Sequence, residues 1–303
     1  MKHKPKIALA GSVNSTLTTL NKLVEHKCEL KGVLSLSPDK SKNVSGYKDL
    51  KPYCEEHGIP CRYFNNINDE EVVEYLQSLE LDYLFIIGLS QLARKDVINI
   101  ARKGNIGFHP TRLPEGRGRA AVAWILLGKA PAAATFFLID EGMDSGDILG
   151  QRTITVDQNT YADDLIRKIQ DEIGRVLDDF LPELNAGTLQ MKPQDHTKAT
   201  YLGKRKPKDG LIKWAHTSKS IFDLIRATSR PLPGAYSFYE GQKIVIHRAE
   251  IENQNVYVGV SGRVLEVENE SCLVACQDGA IWIHHYEAEQ KVYFKIGKDF
   301  TNE

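Results

Sequence analysis

Short apolar runs alternate with amphipathic stretches through the N-terminal part of the chain. The first apolar run, residues 7–11, predicts a buried strand, and residues 12–16 supply turn and capping side chains before a predicted helix. The alternation continues with strands predicted at 30–36, 60–64 and 81–87, and with helices at 49–57 and 69–79. The last of these strands is the most apolar and is predicted to be central. Strands that alternate with helices predict an α/β domain with a parallel sheet.

The pattern changes towards the C-terminus. An amphipathic stretch at 156–184 predicts a long helix that closes the first domain, and the polar, proline-bounded segment 192–207 predicts a linker. After a predicted helix at 218–228, short alternating runs recur at intervals of about ten residues, which is typical of a small barrel. These predicted strands are 235–239, 243–247, 262–267, 272–276 and 281–285. We therefore predict a catalytic domain over residues 1–200 and a smaller β-barrel domain over residues 201–303.

The composition is that of an ordinary protein that is large enough to bury a hydrophobic core. The 303 residues are 42% hydrophobic and 26% charged, and 39 Lys and Arg against 40 Asp and Glu give a net charge of −1. Such a balance creates no global field that attracts a polyanion. The basic N-terminus leads directly into a short strand rather than a signal peptide, and no apolar stretch reaches the roughly 18 residues that a membrane span needs. We expect a cytoplasmic protein with no membrane partner.

Two local clusters are candidate binding sites, one for nucleic acid and one for a metal ion. Residues 204–208 contain four cations in five positions and form the best candidate for tRNA contact, but a solvated linker explains them equally well. Nucleic acid is therefore not the expected partner. Cys272 and Cys276 lie near His284 and His285, but without the tight spacing of metal ligands. We predict neither a metal site nor a disulfide framework.

Candidate chemistry is concentrated in residues 109–120 and 140–147. His109 follows the apolar stretch Ile106–Phe108 and precedes Pro110, which places it at a predicted strand end, where α/β enzymes hold their active sites. An imidazole exchanges protons near neutrality, and a neighbouring carboxylate fixes its tautomer and raises its basicity. Asp144, in the glycine-rich second segment, is the candidate carboxylate.

These segments carry a resemblance to a known family. The chain resembles the folate-dependent formyltransferases, which include methionyl-tRNA formyltransferase, the formyltransferase domain of the bifunctional aminoarabinose-pathway enzyme and sugar-nucleotide N-formyltransferases. It has the family's motif residues in the family's order: His109, Leu113, Pro114, Arg117, Gly118, Trp124, Gly128, Thr135, Asp140, Gly142, Asp144, Gly146, Asp147 and Ile148. Further similarity at 201–210 and 230–235 extends the resemblance over most of the chain.

The resemblance implies a Rossmann-like catalytic domain followed by an OB-like barrel, with N10-formyltetrahydrofolate as formyl donor. His109 and Asp144 would move the proton of the attacking amine. The turn after the central strand would offer backbone groups to the pterin ring, and Arg119 would face the folate or the acceptor. The cofactor-binding residues expected on this basis are Leu89, Ser90, Gln91, Leu92, Arg119, Asp140 and Gly142.

The chain departs from the family at one position. Two residues before the histidine, the family has an asparagine that donates a hydrogen bond to the oxyanion of the tetrahedral intermediate, whereas this chain has Gly107. The nearest asparagine is Asn105, four residues before the histidine. Either a local bulge brings Asn105 to the oxyanion or another donor replaces it. Asn105 is retained as the third candidate catalytic residue.

The function expected first is formyl transfer to a primary amine of a nucleotide-linked amino sugar, a step in lipopolysaccharide or other surface-glycan biosynthesis. Methionyl-tRNA formylation is the alternative, against which stand the near-neutral charge and the short, weakly basic segment 37–48. Two further alternatives are a formyltetrahydrofolate hydrolase and, because of Gly107, a folate-binding module without transfer activity. The sequence leaves the oligomeric state open, a homodimer included.

Overall fold

The computed structural model describes residues 4–44, 46–89 and 91–303. Contacts divide the chain into two compact units. The first unit comprises the described residues up to Gly118, together with Ala130–Thr155 and Arg167–Tyr201. The second unit comprises Arg119–Lys129, Val156–Ile166 and Leu202–Glu303. The domain boundary predicted at residue 200 stays a prediction. By their contacts, the segments Arg119–Lys129 and Val156–Ile166 belong to the same unit as Leu202–Glu303.

The strands are β1 (Lys6–Ala10), β2 (Glu29–Leu36), β3 (Cys61–Phe64), β4 (Tyr83–Ile86), β5 (Gly104–Thr111), β6 (Arg117–Gly118), β7 (Ala132–Ile139), β8 (Ile148–Thr153), β9 (Tyr201–Leu202), β10 (Ala235–Tyr239), β11 (Gln242–Ile251), β12 (Val264–Glu268), β13 (Ser271–Ala275), β14 (Ala280–Glu287) and β15 (Phe300–Thr301). The α-helices are α1 (Asn14–Glu25), α2 (Lys51–Glu56), α3 (Glu70–Ser78), α4 (Lys95–Ile98), α5 (Ala121–Leu126), α6 (Ala162–Ala186) and α7 (Ser218–Thr228). Within these described elements, none of the helices combines the length and apolarity that crossing a membrane requires.

The first unit is built on a seven-stranded sheet in the order β3-β2-β1-β4-β5-β7-β8. β4 is the middle strand, which confirms the prediction from its apolar sequence. The strands from β3 to β5 are parallel, as predicted, whereas β7 and β8 run antiparallel to their neighbours. The chain reverses between β7 and β8 through the loop 140–147, and an antiparallel neighbour needs only such a short connection.

Apolar side chains cover both faces of the central strands. Leu9, Leu84, Phe85 and Ile106 are fully buried, as expected for strands that helices cover on both sides. The backbone segments that follow β1 and β4 approach each other closely, since a Cβ at Gly11 would lie 2.0 Å from the carbonyl oxygen of Ile87. A glycine is needed there because no larger residue fits.

The second unit contains an antiparallel six-stranded sheet in the order β12-β13-β14-β11-β10-β15. Its two edges meet: Arg263 and Asp299 form a β-bridge, the Val264 N–H donates to the Lys298 carbonyl, and the Phe300 N–H donates to the Gly262 carbonyl. The sheet is thereby curled into the predicted OB-like barrel. Its core includes Trp214, whose indole N–H donates to Ser237 Oγ at 2.9 Å.

The long helix α6 begins later than the amphipathic pattern predicts, at Ala162 rather than near residue 156. Residues 157–160 form a turn instead, because Asp157 Oδ1 accepts hydrogen bonds from the Asn159 N–H and the Thr160 hydroxyl. A short polar side chain that bonds nearby backbone groups competes with helix formation.

Candidate active site

His109 lies at the end of β5, where the regular strand stops. Its register with β7 pairs it with Thr135 and shifts immediately afterwards, between His109 and Thr111. The histidine is 7% exposed. Its Nε2 lies 2.8 Å from the Gly116 carbonyl oxygen, and its Nδ1 lies 3.6 Å from Asp144 Oδ2. The structure therefore brings together the two residues that the sequence proposed as a proton-transfer pair.

Asp144 is held in place by its own backbone and by β6. Its φ of 48° is in the left-handed region, which a residue with a side chain adopts at an energetic cost and which is often found at functional sites. Asp144 Oδ2 accepts a hydrogen bond of 2.8 Å from the Gly118 N–H. The carboxylate therefore has one fixed partner and one face towards the imidazole.

The two contacts of His109 differ in what they require of the ring. Donation to the Gly116 carbonyl requires a proton on Nε2, whereas an attractive contact with Asp144 requires a proton on Nδ1. Both are attractive together only when the ring carries both protons. At 3.6 Å the imidazole and the carboxylate are within ion-pair range but beyond hydrogen-bond range. The ring is therefore placed between a carbonyl oxygen on its Nε2 side and a carboxylate on its Nδ1 side.

The loop that carries Asp144 is shaped by two further predicted residues. Asp140 Oδ1 accepts hydrogen bonds from the Gly142 N–H at 2.9 Å and from the Ser145 hydroxyl at 2.7 Å. A Cβ at Gly142 would lie 2.0 Å from Ser145 Oγ, so a larger residue there would displace the hydroxyl that bonds Asp140. Asp140 and Gly142 build the loop in this structure, and their predicted role in cofactor binding stays a prediction.

Asn105 is not brought to His109. The register of β5 with β7 is unbroken from Asn105 to His109, so the bulge considered from the sequence is absent in this described segment. Four strand residues separate the two positions by about 13 Å. The Asn105 amide is buried and donates to the carbonyls of Val97 and Ile98 at 3.0 Å each, at the end of α4. Its contacts are those of a structural residue.

The space beside Gly107 is filled by apolar side chains. Gly107 pairs with Phe137 on the neighbouring strand, and a Cβ at Gly107 would lie 3.1 Å from Phe137 Cζ and 3.0 Å from Ile139 Cγ1. Phe137 packs in a cluster with Leu113 and Ile148. An asparagine at 107 would therefore meet the phenylalanine ring rather than an open site.

The turn after β4 lies at the same edge of the sheet as His109, because β4 and β5 are parallel neighbours. Gln91 in this turn accepts from the Ile67 N–H and donates to the Asn65 carbonyl, both at 2.8 Å. Leu89 is half-buried and Leu92 is 83% exposed. Ser90 lies outside the described residues. The crevice at this edge is where open α/β sheets bind ligands, and the role of the turn in folate binding stays a prediction.

Arg119 is exposed and belongs to the second unit, where its backbone N–H donates to the Leu202 carbonyl at 3.1 Å. Its predicted position against the folate or the acceptor stays a prediction.

Two buried residues lie behind the site: Arg117 was identified from the sequence only as a motif residue without a role, and Gln194 was missed. Arg117 is 2% exposed, and Gln194 is 6% exposed although it lies in the segment predicted to be a linker. Arg117 Nη2 donates to Gln194 Oε1 at 2.7 Å, and Gln194 Nε2 donates to the carbonyls of Asp144 and Gly146. An arginine inside the motif region was a usable signal for Arg117. A single glutamine in a polar segment has no periodicity that predicts its burial.

Comparison with known proteins gives consistent matches. Residues 7–181 match the formyl transferase family, and residues 204–302 match the formyl transferase C-terminal domain. The chain is 30% identical over 297 residues, 96% of its length, to the methionyl-tRNA formyltransferase of Geotalea daltonii, of which it covers 93%.

Two solved structures share the fold. One is an N-formyltransferase from Helicobacter canadensis, solved with folinic acid and dTDP-3-aminofucose; the TM-score is 0.69 at 18% identity, with 93% of this chain and all of that chain (100%) covered. The other is HypX from Aquifex aeolicus with tetrahydrofolic acid, at a TM-score of 0.66 and 18% identity. The match covers 96% of this chain but 45% of HypX.

Proposed function

Because this chain belongs to the formyl transferase family, we propose that it transfers the formyl group of N10-formyltetrahydrofolate to a primary amine on a nucleotide-linked sugar. The observation that carries the proposal is the buried His109 beside Asp144 at the carboxyl end of β5. The donor is held at the crevice beside Leu89, Gln91 and Leu92, and the acceptor amine approaches the formyl carbon from the side of His109.

In the proposed reaction, the neutral amine attacks the formyl carbon and a carbon–nitrogen bond forms. His109 takes a proton from the attacking nitrogen, and the resulting imidazolium is stabilised by Asp144 and the Gly116 carbonyl. The tetrahedral intermediate then breaks its bond to N10 of the folate, and the proton passes to that leaving nitrogen. A base and an acid placed in this way contribute about 10² to 10⁴ to the rate.

Charge supports a small acceptor over a polynucleotide. The net charge is −1, and the basic cluster 204–208 is not wholly available to a phosphate backbone. Lys204, Lys206 and Lys208 are exposed, but the Arg205 guanidinium lies 5.0 Å from the centre of the Trp124 ring, in a cation–π contact. One diphosphate needs fewer cations than a tRNA.

Methionyl-tRNA formylation is the second candidate. The observation that favours it is the 30% identity, over nearly the whole chain, to a relative of that name. Both candidates use the same donor and the same proton-transfer pair, so only the acceptor distinguishes them.

The test is a turnover assay with N10-formyltetrahydrofolate and two sets of acceptors, a panel of nucleotide-linked amino sugars and methionyl-tRNA. We expect formylated amino sugar, with a rate that changes little with added salt. Formylated tRNA, with an affinity that falls steeply with salt because counterions are released, would identify the second candidate. Formate without acceptor would indicate a hydrolase, and folate binding without any product would indicate a binding module. The His109→Asn variant serves as the inactive control.

A further inference from the structure

Gln194 lies in the stretch between the two matched family regions and contacts the loop of Asp144 directly. Its Nε2 donates to the Asp144 carbonyl at 3.0 Å and to the Gly146 carbonyl at 2.7 Å. Its Oε1 accepts from Arg117 Nε at 3.2 Å and from Arg117 Nη2 at 2.7 Å. An amide has two protons to donate and two lone pairs that accept, so the hydrogen-bonding capacity of Gln194 is fully used.

Arg117 determines which way this amide faces. A guanidinium can only donate, so the amide oxygen of Gln194 must point to Arg117 and the amide nitrogen must point to the loop. The guanidinium has two other described partners: Nη1 donates to the Tyr201 hydroxyl at 3.3 Å, and Nη2 lies 3.1 Å from His196 Nδ1. The bidentate contact restricts rotation of the amide about its last bond.

The contact is made at the strained residue itself. Asp144 has a φ of 48°, and the carbonyl that Gln194 bonds is the carbonyl of Asp144. The carboxylate of the same residue is bonded by the N–H of Gly118, the residue that follows Arg117. Gly118 therefore bonds the side chain of Asp144 directly, and Arg117 contacts its main chain through Gln194.

We propose that Gln194, oriented by Arg117, is a positioning residue that keeps the Asp144 carboxylate facing the His109 imidazole during proton transfer. The inference rests on the proposed function, because it assigns Gln194 a role in that reaction. Gln194 acts through Asp144 and does not itself contact the reacting atoms.

The principal variant is Gln194→Glu. It keeps an acceptor for Arg117 but sets a carboxylate oxygen against the carbonyls of Asp144 and Gly146, which repels the loop. We expect kcat to fall by about a hundredfold, the loss that a misplacement of about 1 Å at a reacting group produces, while KM for the donor changes by less than about threefold. The matched control is Gln190→Glu, at an exposed glutamine of the same stretch between the two matched regions, and it is expected to leave both values unchanged.

A double-variant cycle separates positioning from general destabilisation. If Gln194 acts through Asp144, the variant with both Asp144→Asn and Gln194→Glu is no more than about twofold slower than Asp144→Asn alone. Two independent losses that multiply would overturn the proposal. If Gln194→Glu does not fold, Arg117→Lys replaces it, because lysine keeps the charge but cannot make the bidentate contact.

A spectroscopic readout keeps the inference separate from the proposed function. The imidazole nitrogen NMR signals of His109, assigned with His109→Asn, report the Asp144 carboxylate without substrate. Gln194→Glu is expected to shift these signals in the direction that Asp144→Asn does, whereas Gln190→Glu does not. If the parent enzyme formylates neither acceptor, the proposed function fails while this shift still tests the positioning. Unchanged signals in Gln194→Glu would overturn it.

Discussion

At the residue scale, the site depends on one imidazole with two different partners. His109 Nε2 faces a carbonyl oxygen that only accepts, and His109 Nδ1 faces a carboxylate. The ring is buried, with 7% of its surface exposed. The two contacts fix the orientation of the imidazole at the end of β5.

Replacing His109 with asparagine is expected to lower formyl transfer by at least about a hundredfold, because a general acid–base group contributes roughly 10² to 10⁴. Folding should be preserved, since an amide fills part of the same polar space. The measurement is steady-state turnover, with a thermal melt as the check on folding. His57→Asn, at an exposed histidine, is the control. Turnover within about threefold of the parent would remove His109 from the proton-transfer role.

Asp144→Asn is expected to reduce the rate and to flatten or displace the pH–rate profile, because the amide is neutral and no longer stabilises an imidazolium. Asparagine tolerates the left-handed φ of 48°, so the loop should keep its shape. The pH dependence of kcat is the measurement, and Asp147→Asn is the control. An unchanged profile in Asp144→Asn together with an inactive Asp147→Asn would identify Asp147 as the relevant carboxylate.

At the scale of elements, β5 carries a structural residue near its start and a candidate catalytic residue near its end. Asn105 near its start holds the end of α4, and His109 near its finish faces the loop between β7 and β8. Between them, Gly107 leaves room for the Phe137 ring and the Ile139 side chain of β7. Where the resemblance leads to the expectation of an asparagine, this chain has an apolar contact between two strands.

Asn105→Ala is expected to destabilise the protein and leave catalysis nearly unchanged. The alanine removes the side-chain donor of two carbonyls, that of Val97, which keeps the Ile100 N–H, and that of the half-buried Ile98, at a cost on the order of 1–3 kcal/mol. Chemical denaturation measures this loss, and kcat should stay within about threefold of the parent because the amide is about 13 Å along the strand from His109. A kcat loss corresponding to about 3 kcal/mol, without loss of stability, would restore Asn105 as the oxyanion donor.

Gly107→Asn is expected to lower stability rather than raise the rate. The new Cβ would lie 3.0 Å from Ile139 and 3.1 Å from Phe137, and such overpacking costs about 1–3 kcal/mol. Adding Phe137→Ala should recover part of the stability, because it opens the space that the asparagine needs. The measurement is the free energy of unfolding of the single and double variants. A faster enzyme with Gly107→Asn alone would show that the ring moves aside readily.

At the scale of the whole molecule, the chain folds into two units built from non-contiguous segments. In the second unit, the buried Arg226 on α7 donates hydrogen bonds to both of the earlier segments. Its Nη2 donates to the Leu126 carbonyl at 2.8 Å, its Nη1 to the Thr160 carbonyl at 3.1 Å, and its Nε to Asp223 at 2.8 Å. The barrel is thus completed by residues that come earlier in the sequence.

His247 in the second unit predicts a loss of stability in acid. Burial, and then Arg230 and Arg248, lower its pKa below the usual 6.5. The Glu287 carboxylate, 3.0 Å from Nε2, is shared with Arg230. The folded protein favours the neutral ring, so this stability is present above about pH 6.5 and is lost as the pH falls through the lowered pKa.

The measurement is the melting temperature from about pH 7.5 to about pH 5. His247→Gln should remove part of the acid-induced decrease, because the amide does not titrate. His57→Gln, at an exposed histidine, should leave the decrease as it is in the parent. An identical pH dependence in the parent and in His247→Gln would show that other groups cause it.

Several local features follow from the sequence alone: which runs form strands and helices, that β4 is central, that a barrel follows, that His109 lies near a strand end and that Asp144 lies in a glycine-rich loop. These follow from periodicity and from residue type, which act over a few neighbouring residues. Other features came from the folded chain: β7 and β8 run antiparallel, Asn105 donates to the end of α4, Phe137 occupies the space beside Gly107, and Gln194 bonds the Asp144 loop. Each of these depends on which distant segments meet, and hydrophobic periodicity carries no information about the partner of a single polar side chain.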